Sequence, residues 1–115
     1  MDHDIVLLHR HFDSDHLEAV KTQMREMGPP AIRAIWVEVY GVWFAVEGCH
    51  RLRACVELGF EPTIEEIDCP LDTLTDDLGL DGDRAADETL EDLLRRSQTQ
   101  YCQGRTVTFR DLLGS

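Results

Sequence analysis

Residues 32–46 hold two apolar runs, Ile32, Ile35, Trp36, Val37 and Val39 in the first and Val42, Trp43, Phe44 and Val46 in the second, with Tyr40-Gly41 between them. β-branched and aromatic residues at this density predict two strands, and a glycine at this spacing predicts a tight hairpin. Both faces of the pair are largely apolar, so the strands are expected to be central or covered on both sides. The expected cover is the helices over residues 14–27 and 49–58. Val37, Val39, Val42, Phe44 and Val46 are the expected sheet core.

The flanking segments supply those helices. Ile5-Val6-Leu7-Leu8 reads as a short first strand. Asp13 or Ser14 then offers a side-chain oxygen to cap a helix over residues 14–27, whose Leu17, Val20, Met24 and Met27 recur at steps of three and four. Gly28-Pro29-Pro30 stops it, because proline lacks the amide and restricts the residue before it. After Glu47-Gly48 a second helix is expected over residues 49–58, burying Leu52, Cys55, Val56 and Leu58 and closing at Gly59. Residues 63–67 read as another strand, stopped by Pro70. The expected fold is therefore α+β, a small mixed sheet with packed helices, over residues 1–70. Residues 71–115 read as an acidic, mainly helical extension: a loop or turn segment rich in Asp, a helix over 84–101 with Leu90, Leu93, Leu94 and Tyr101 on one face, and residues 107–113 that fit either a short strand or a helical tail.

Charge narrows the function classes. Eleven basic residues face 23 acidic ones, for a net charge of −12, and Lys21 is the only lysine. Such a surface repels a phosphate backbone, so direct nucleic-acid binding is disfavoured, whereas a local pocket for a small phosphate ligand is not. No apolar run reaches membrane-spanning length and Met1-Asp2-His3-Asp4 is acidic, so the chain reads as a soluble, cytoplasmic protein without a membrane partner. Cys49, Cys55, Cys69 and Cys102 form no C-x-x-C pair, which argues against structural zinc and for reduced thiols.

The chemistry concentrates at Gly48-Cys49-His50-Arg51, where a buried strand runs into a helix. A helix start presents unpaired amides and a partial positive charge, which together bind anions. Gly48 allows close approach to the backbone, and His50 and Arg51 add donors, while Arg53 either reaches back or pairs with an acid. The same field favours the thiolate of Cys49. A plain strand-to-helix turn with solvated polar residues accounts for the pattern about equally well.

The stretch Phe44-Ala45-Val46-Glu47-Gly48-Cys49-His50-Arg51-Leu52-Arg53-Ala54 resembles the signature of the ParB/sulfiredoxin superfamily. Gly48-Cys49-His50-Arg51 matches the sulfiredoxin active-site motif, and Gly48, Arg51, Arg53 and Ala54 match the arginine box of ParB-type domains. Phe12-Asp13-x-x-His16-Leu17 fits the preceding helix, and the resemblance covers residues 5–68. It implies nucleotide phosphates, ATP or another nucleotide with Mg2+, held by Gly48, His50, Arg51 and Arg53, with His16 standing where the family has a lysine. Ala19 and Gln23 take the remaining clamp positions, and Glu47 adds a negative charge beside the glycine. In the sulfiredoxin branch Cys49 would be the catalytic thiol of an ATP-dependent oxidoreductase. Other branches bind CTP or transfer phosphoryl groups.

Two classes of function follow: a nucleotide-dependent enzyme of thiol redox or phosphoryl-transfer type, and a non-catalytic adaptor or regulatory protein that binds a protein partner through its acidic tail or a sheet edge. Lesser candidates have simpler readings. His9, His11 and His16 are spaced for a divalent metal but more often such residues are solvated. Trp36 and Trp43 read as core. The acidic stretch 72–92 lacks the calcium-loop pattern and reads as a solvated face.

Overall fold

The computed structural model describes residues 3–8, 11–80 and 86–114. The element order is β1 (Ile5–Val6), α1 (Ser14–Met27), β2 (Ala31–Val37), β3 (Val42–Ala45), α2 (Cys49–Leu58), β4 (Thr63–Glu66), a 3-10 turn (Thr75–Leu78), α3 (Leu90–Cys102) and α4 (Phe109–Leu113). The chain is α+β with one four-stranded mixed sheet in the order β1-β3-β2-β4. β2 and β3 are the antiparallel hairpin, with Val37 opposite Val42 and Ala34 opposite Ala45. β1 joins β3, and β4 joins β2, both in parallel.

The apolar character of both hairpin faces has a direct structural cause. Ile32 and Ala45 face one way and pack with Ile5, Leu7, Leu17, Met24, Leu52 and Cys55, under α1 and α2. Val37, Val42 and Phe44 face the other way with Val6, against Leu94 and Tyr101 of α3. Ile35 and Val46 join Leu90 and Leu93 on that same side. The segment after residue 71 thus covers the second sheet face. Leu90 and Leu93 are fully buried, each contributing on the order of 1.5–3 kcal/mol by removal from water.

Local signals set the element ends. The Asp13 side chain accepts from the His16 amide at 2.9 Å and caps α1, and this hydrogen bond holds the Asp13 carboxyl below its ordinary range. Gly28 ends α1, and left-handed Gly59 ends α2. Several expectations are corrected. Val39 is 80% exposed, because it lies in the 38–41 turn rather than in a strand. Met27 is 75% exposed, since α1 ends there, beyond its packed face. The first strand stops at Val6, and the Leu7 amide donates instead to Val107 O at 2.9 Å. The last strand ends at Glu66, although the Ile67 amide still donates to Ala34 O.

The tail helix begins at Leu90 rather than 84, because Thr89 and Asp92 form a reciprocal capping box there; residues 84 and 85 lie outside the described ones. Residues 107–113 combine both readings: Thr108 bridges Val6 in antiparallel fashion and then caps α4. Trp36 and Trp43 are half-buried cross-strand partners with ring centroids 5.1 Å apart.

Candidate functional site

β3 is a buried central strand, and the chain leaving it must turn sharply to start α2. Gly48 makes that turn with φ +83°, and a Cβ there would lie 2.9 Å from Ile32 Cδ1. An L side chain is therefore strained by the left-handed backbone and requires the tip of Ile32 to shift. Gly48 is the N-cap of α2 and supplies no side-chain cap to it.

This junction forms one wall of a cleft of about 1020 Å³ at the end of the sheet. His16 and Gln23 of α1 line it together with Gly48, Cys49, His50 and Arg51. The rest of the lining divides into an apolar part, with Val20, Met24, Met27, Pro29 and Pro30, and a charged part, with Arg33, Glu47 and Glu65.

Of the residues expected at the site, five converge here: His16, Gly48, Cys49, His50 and Arg51. The rings of His16 and His50 stand 4.3 Å apart. His50 Nε2 accepts from the Asp13 amide at 2.9 Å, so its neutral form carries the proton on Nδ1. Cys49 is 6% exposed at the first position of α2. Cys55, by contrast, is fully buried beneath the helix, and burial pushes its thiol up to about 11. Arg53 does not line the cleft; its guanidinium lies 4.3 Å from the Phe12 ring centroid, a cation–π contact. Ala19 also lies off the lining, whereas Gln23 is on it. Of the three histidines whose spacing was weighed for a metal, His9 lies outside the described residues. Among the described residues no cluster of three His, Cys, Asp or Glu side chains is arranged to hold a metal ion.

Charge at the cleft floor is internally paired. The Glu47 side chain is only 4% exposed, and Arg33 grips it with Nε to Oε1 at 2.7 Å and Nη2 to Oε2 at 3.1 Å. Arg33 also donates to the carbonyls of Leu78 and Gly79, which fixes the guanidinium from the tail side. Arg51 Nη2 reaches Glu47 Oε1 at 3.5 Å, and Arg51 Nη1 donates to Ala31 O at 3.1 Å. Sequence reasoning named Glu47 and Arg51 but missed Arg33. The signal was present: one arginine inside Ala31-Ile32-Arg33-Ala34-Ile35 needs a partner for its charge. Glu65 stands beside Arg33 in the β2–β4 register and was missed as well.

The fold and site define a small α+β domain with a half-polar, half-apolar cleft at a strand-to-helix junction. Comparison with protein-family models, curated proteins and solved structures gives no match to this chain.

Proposed function

We propose that the cleft binds the phosphate groups of a nucleotide at residues 48–51, as the resemblance to the ParB/sulfiredoxin superfamily implies. The observation that carries this reading is that Gly48, His50 and Arg51 line one cleft together with His16 and Gln23, residues 25 or more positions away that the motif comparison assigns to one ligand. A left-handed glycine at a helix start lets an anion approach the amides, and Arg51 supplies charge beside them. The apolar lining from Met24 to Pro30 suits a planar or apolar remainder of the ligand. Mg2+ would accompany the phosphates and offset the chain's negative charge.

Cys49 is the one cysteine of the four that lines the cleft, so thiol chemistry on a phosphorylated substrate is assigned to it. Calorimetric titration of the full chain with ATP, ADP, CTP and pyrophosphate, with and without Mg2+, tests the reading. Saturable binding that Arg51→Ala weakens by about tenfold or more supports it. Under the redox form of the proposal, Cys49→Ser abolishes turnover yet leaves phosphate binding nearly intact.

The non-catalytic alternative draws on a specific observation too. Glu47 already engages Arg33 and Arg51, so the cleft's positive charge is largely answered from within. If none of the four ligands binds at millimolar concentration, the adaptor reading, with a protein partner, takes the place of the nucleotide one.

A further inference from the structure

We infer that the open edge of β4 takes up an extended segment of a partner protein carrying lysine or arginine, which joins the sheet as a further strand. Nothing in this depends on phosphate binding in the cleft.

The two edges of the sheet differ. β1 ends one side, and the chain at 107–108 covers it: the Leu7 amide donates to Val107 O, and Thr108 bridges Val6. β4 ends the other side, where β2 is its one strand partner among the described residues. The Thr63 amide donates inward to Pro30 O and the Ile67 amide to Ala34 O, each at 3.0 Å. Strand peptide groups alternate in direction, so those of Ile64 and Glu66 point outward, away from β2. Such an edge offers donors and acceptors at the spacing a further strand needs.

Charge decides the occupant. Glu65 and Glu66 are both exposed, and successive strand residues face opposite sides of the sheet, so the edge presents a carboxylate on each side. Neither carboxylate makes an ion pair among the described residues. Glu61 and Asp68 continue the acidic run beyond the strand ends. A second copy pairing through β4 would bring carboxylates beside carboxylates, and that repulsion disfavours self-association. A strand with basic residues on both of its faces meets opposite charges instead, and the chain's net charge of −12 draws it in. Ile64, partly buried against the core under α1 and α2, adds an apolar contact on one face.

The test uses the full chain and a short capped peptide of valine and threonine with two adjacent lysines at its centre. At saturating peptide and one fixed pH, hydrogen exchange at the Ile64 and Glu66 amides is expected to slow by about tenfold or more. Methylating alternate peptide nitrogens in one phase should abolish binding, and in the other phase leave it within about threefold, because only one set faces the edge. The same peptide with glutamates in place of the lysines should not bind. Glu66→Gln should weaken the lysine peptide severalfold. Glu66→Pro removes the charge and the outward N–H but none of the bonds to β2, and should abolish binding. If Glu66→Pro does not fold, the two methylated peptides decide the same point. No binding at millimolar peptide, equal binding by both methylated forms, or unchanged exchange at Ile64 and Glu66 overturns the inference. Dimerisation of the chain that protects those amides without peptide overturns it as well, in favour of a second copy.

Discussion

The backbone amide of Asp13 donates to Nε2 of His50 at 2.9 Å, joining the start of α1 to the start of α2 across 37 positions. The same Asp13 caps α1 through the His16 amide, so one residue sets both the helix start and its distance from the motif helix. His16 and His50 thereby stand side by side along the cleft, with ring centroids 4.3 Å apart.

Replacing the His50 ring removes the lone pair that accepts from Asp13. At one fixed pH the Asp13 amide should therefore exchange with solvent faster in His50→Ala than in wild type, and the substitution should cost on the order of 1 kcal/mol in urea denaturation. Hydrogen exchange at the Asp13 amide reads the first effect. An amide indifferent to the substitution would mean the bond does not hold in solution.

Gly48→Ala should destabilise the fold by about 2 kcal/mol or more, since it adds a left-handed penalty to contact with Ile32. Gly41→Ala, also left-handed but with nothing near its Cβ, should cost less. Urea midpoints of the two variants compare them directly. Equal costs would show that Ile32 yields freely.

The four thiols should alkylate in an order set by exposure. Cys69 and Cys102 are exposed and react readily; Cys49, nearly buried, reacts more slowly and is slowed further by bound pyrophosphate; Cys55 is inert while the chain is folded. The Cys55 thiol titrates near 11 in the folded state against an ordinary 9.0, because burial disfavours the thiolate. A raised folded value means the contribution to stability is complete below pH 9 and is lost as pH climbs through about 11, a span of roughly 2–3 kcal/mol. Wild type should thus lose its stability advantage over Cys55→Ala across that window, as measured by denaturation at pH 8 to 11.

Leu93→Ala should cost about 2–5 kcal/mol, the range for a fully buried leucine. Removing residues 71–115 altogether should leave Val37, Val42, Phe44 and Val46 uncovered, and circular dichroism of such a chain should show loss of cooperative unfolding. A cooperative melt from residues 1–70 alone would show that the acidic segment is a true appendage.

Much of this architecture is legible in the residues because the signals are local. Gly28-Pro29-Pro30 marks the end of α1, and Gly48 and Gly59 bracket α2 where the glycine rules place them. The double-sided apolar hairpin demanded two covering layers, and α3 supplies the second. The start of α3 was equally open to reading: Thr89-Leu90-Glu91-Asp92-Leu93-Leu94 and Thr108-Phe109-Arg110-Asp111-Leu112-Leu113 repeat one capping-box pattern, and each opens a helix. Val39 and Met27 were misplaced because periodicity records hydrophobicity and not where the chain turns. The Arg33–Glu47 pair and the Arg53–Phe12 contact depend on which side of an element faces which neighbour, and no spacing rule encodes that.

The proposed phosphate site comprises residues 48–51 with His16 and Gln23. Amide shifts in nitrogen-resolved NMR spectra, followed while pyrophosphate or Mg2+-ATP is added to the full chain, test whether a ligand binds there. Saturable shifts are expected at Gly48, Cys49, His50 and Arg51, with smaller ones at His16 and Gln23. Spectra unchanged at millimolar ligand, or shifts confined to residues outside the cleft, would overturn the phosphate-binding proposal.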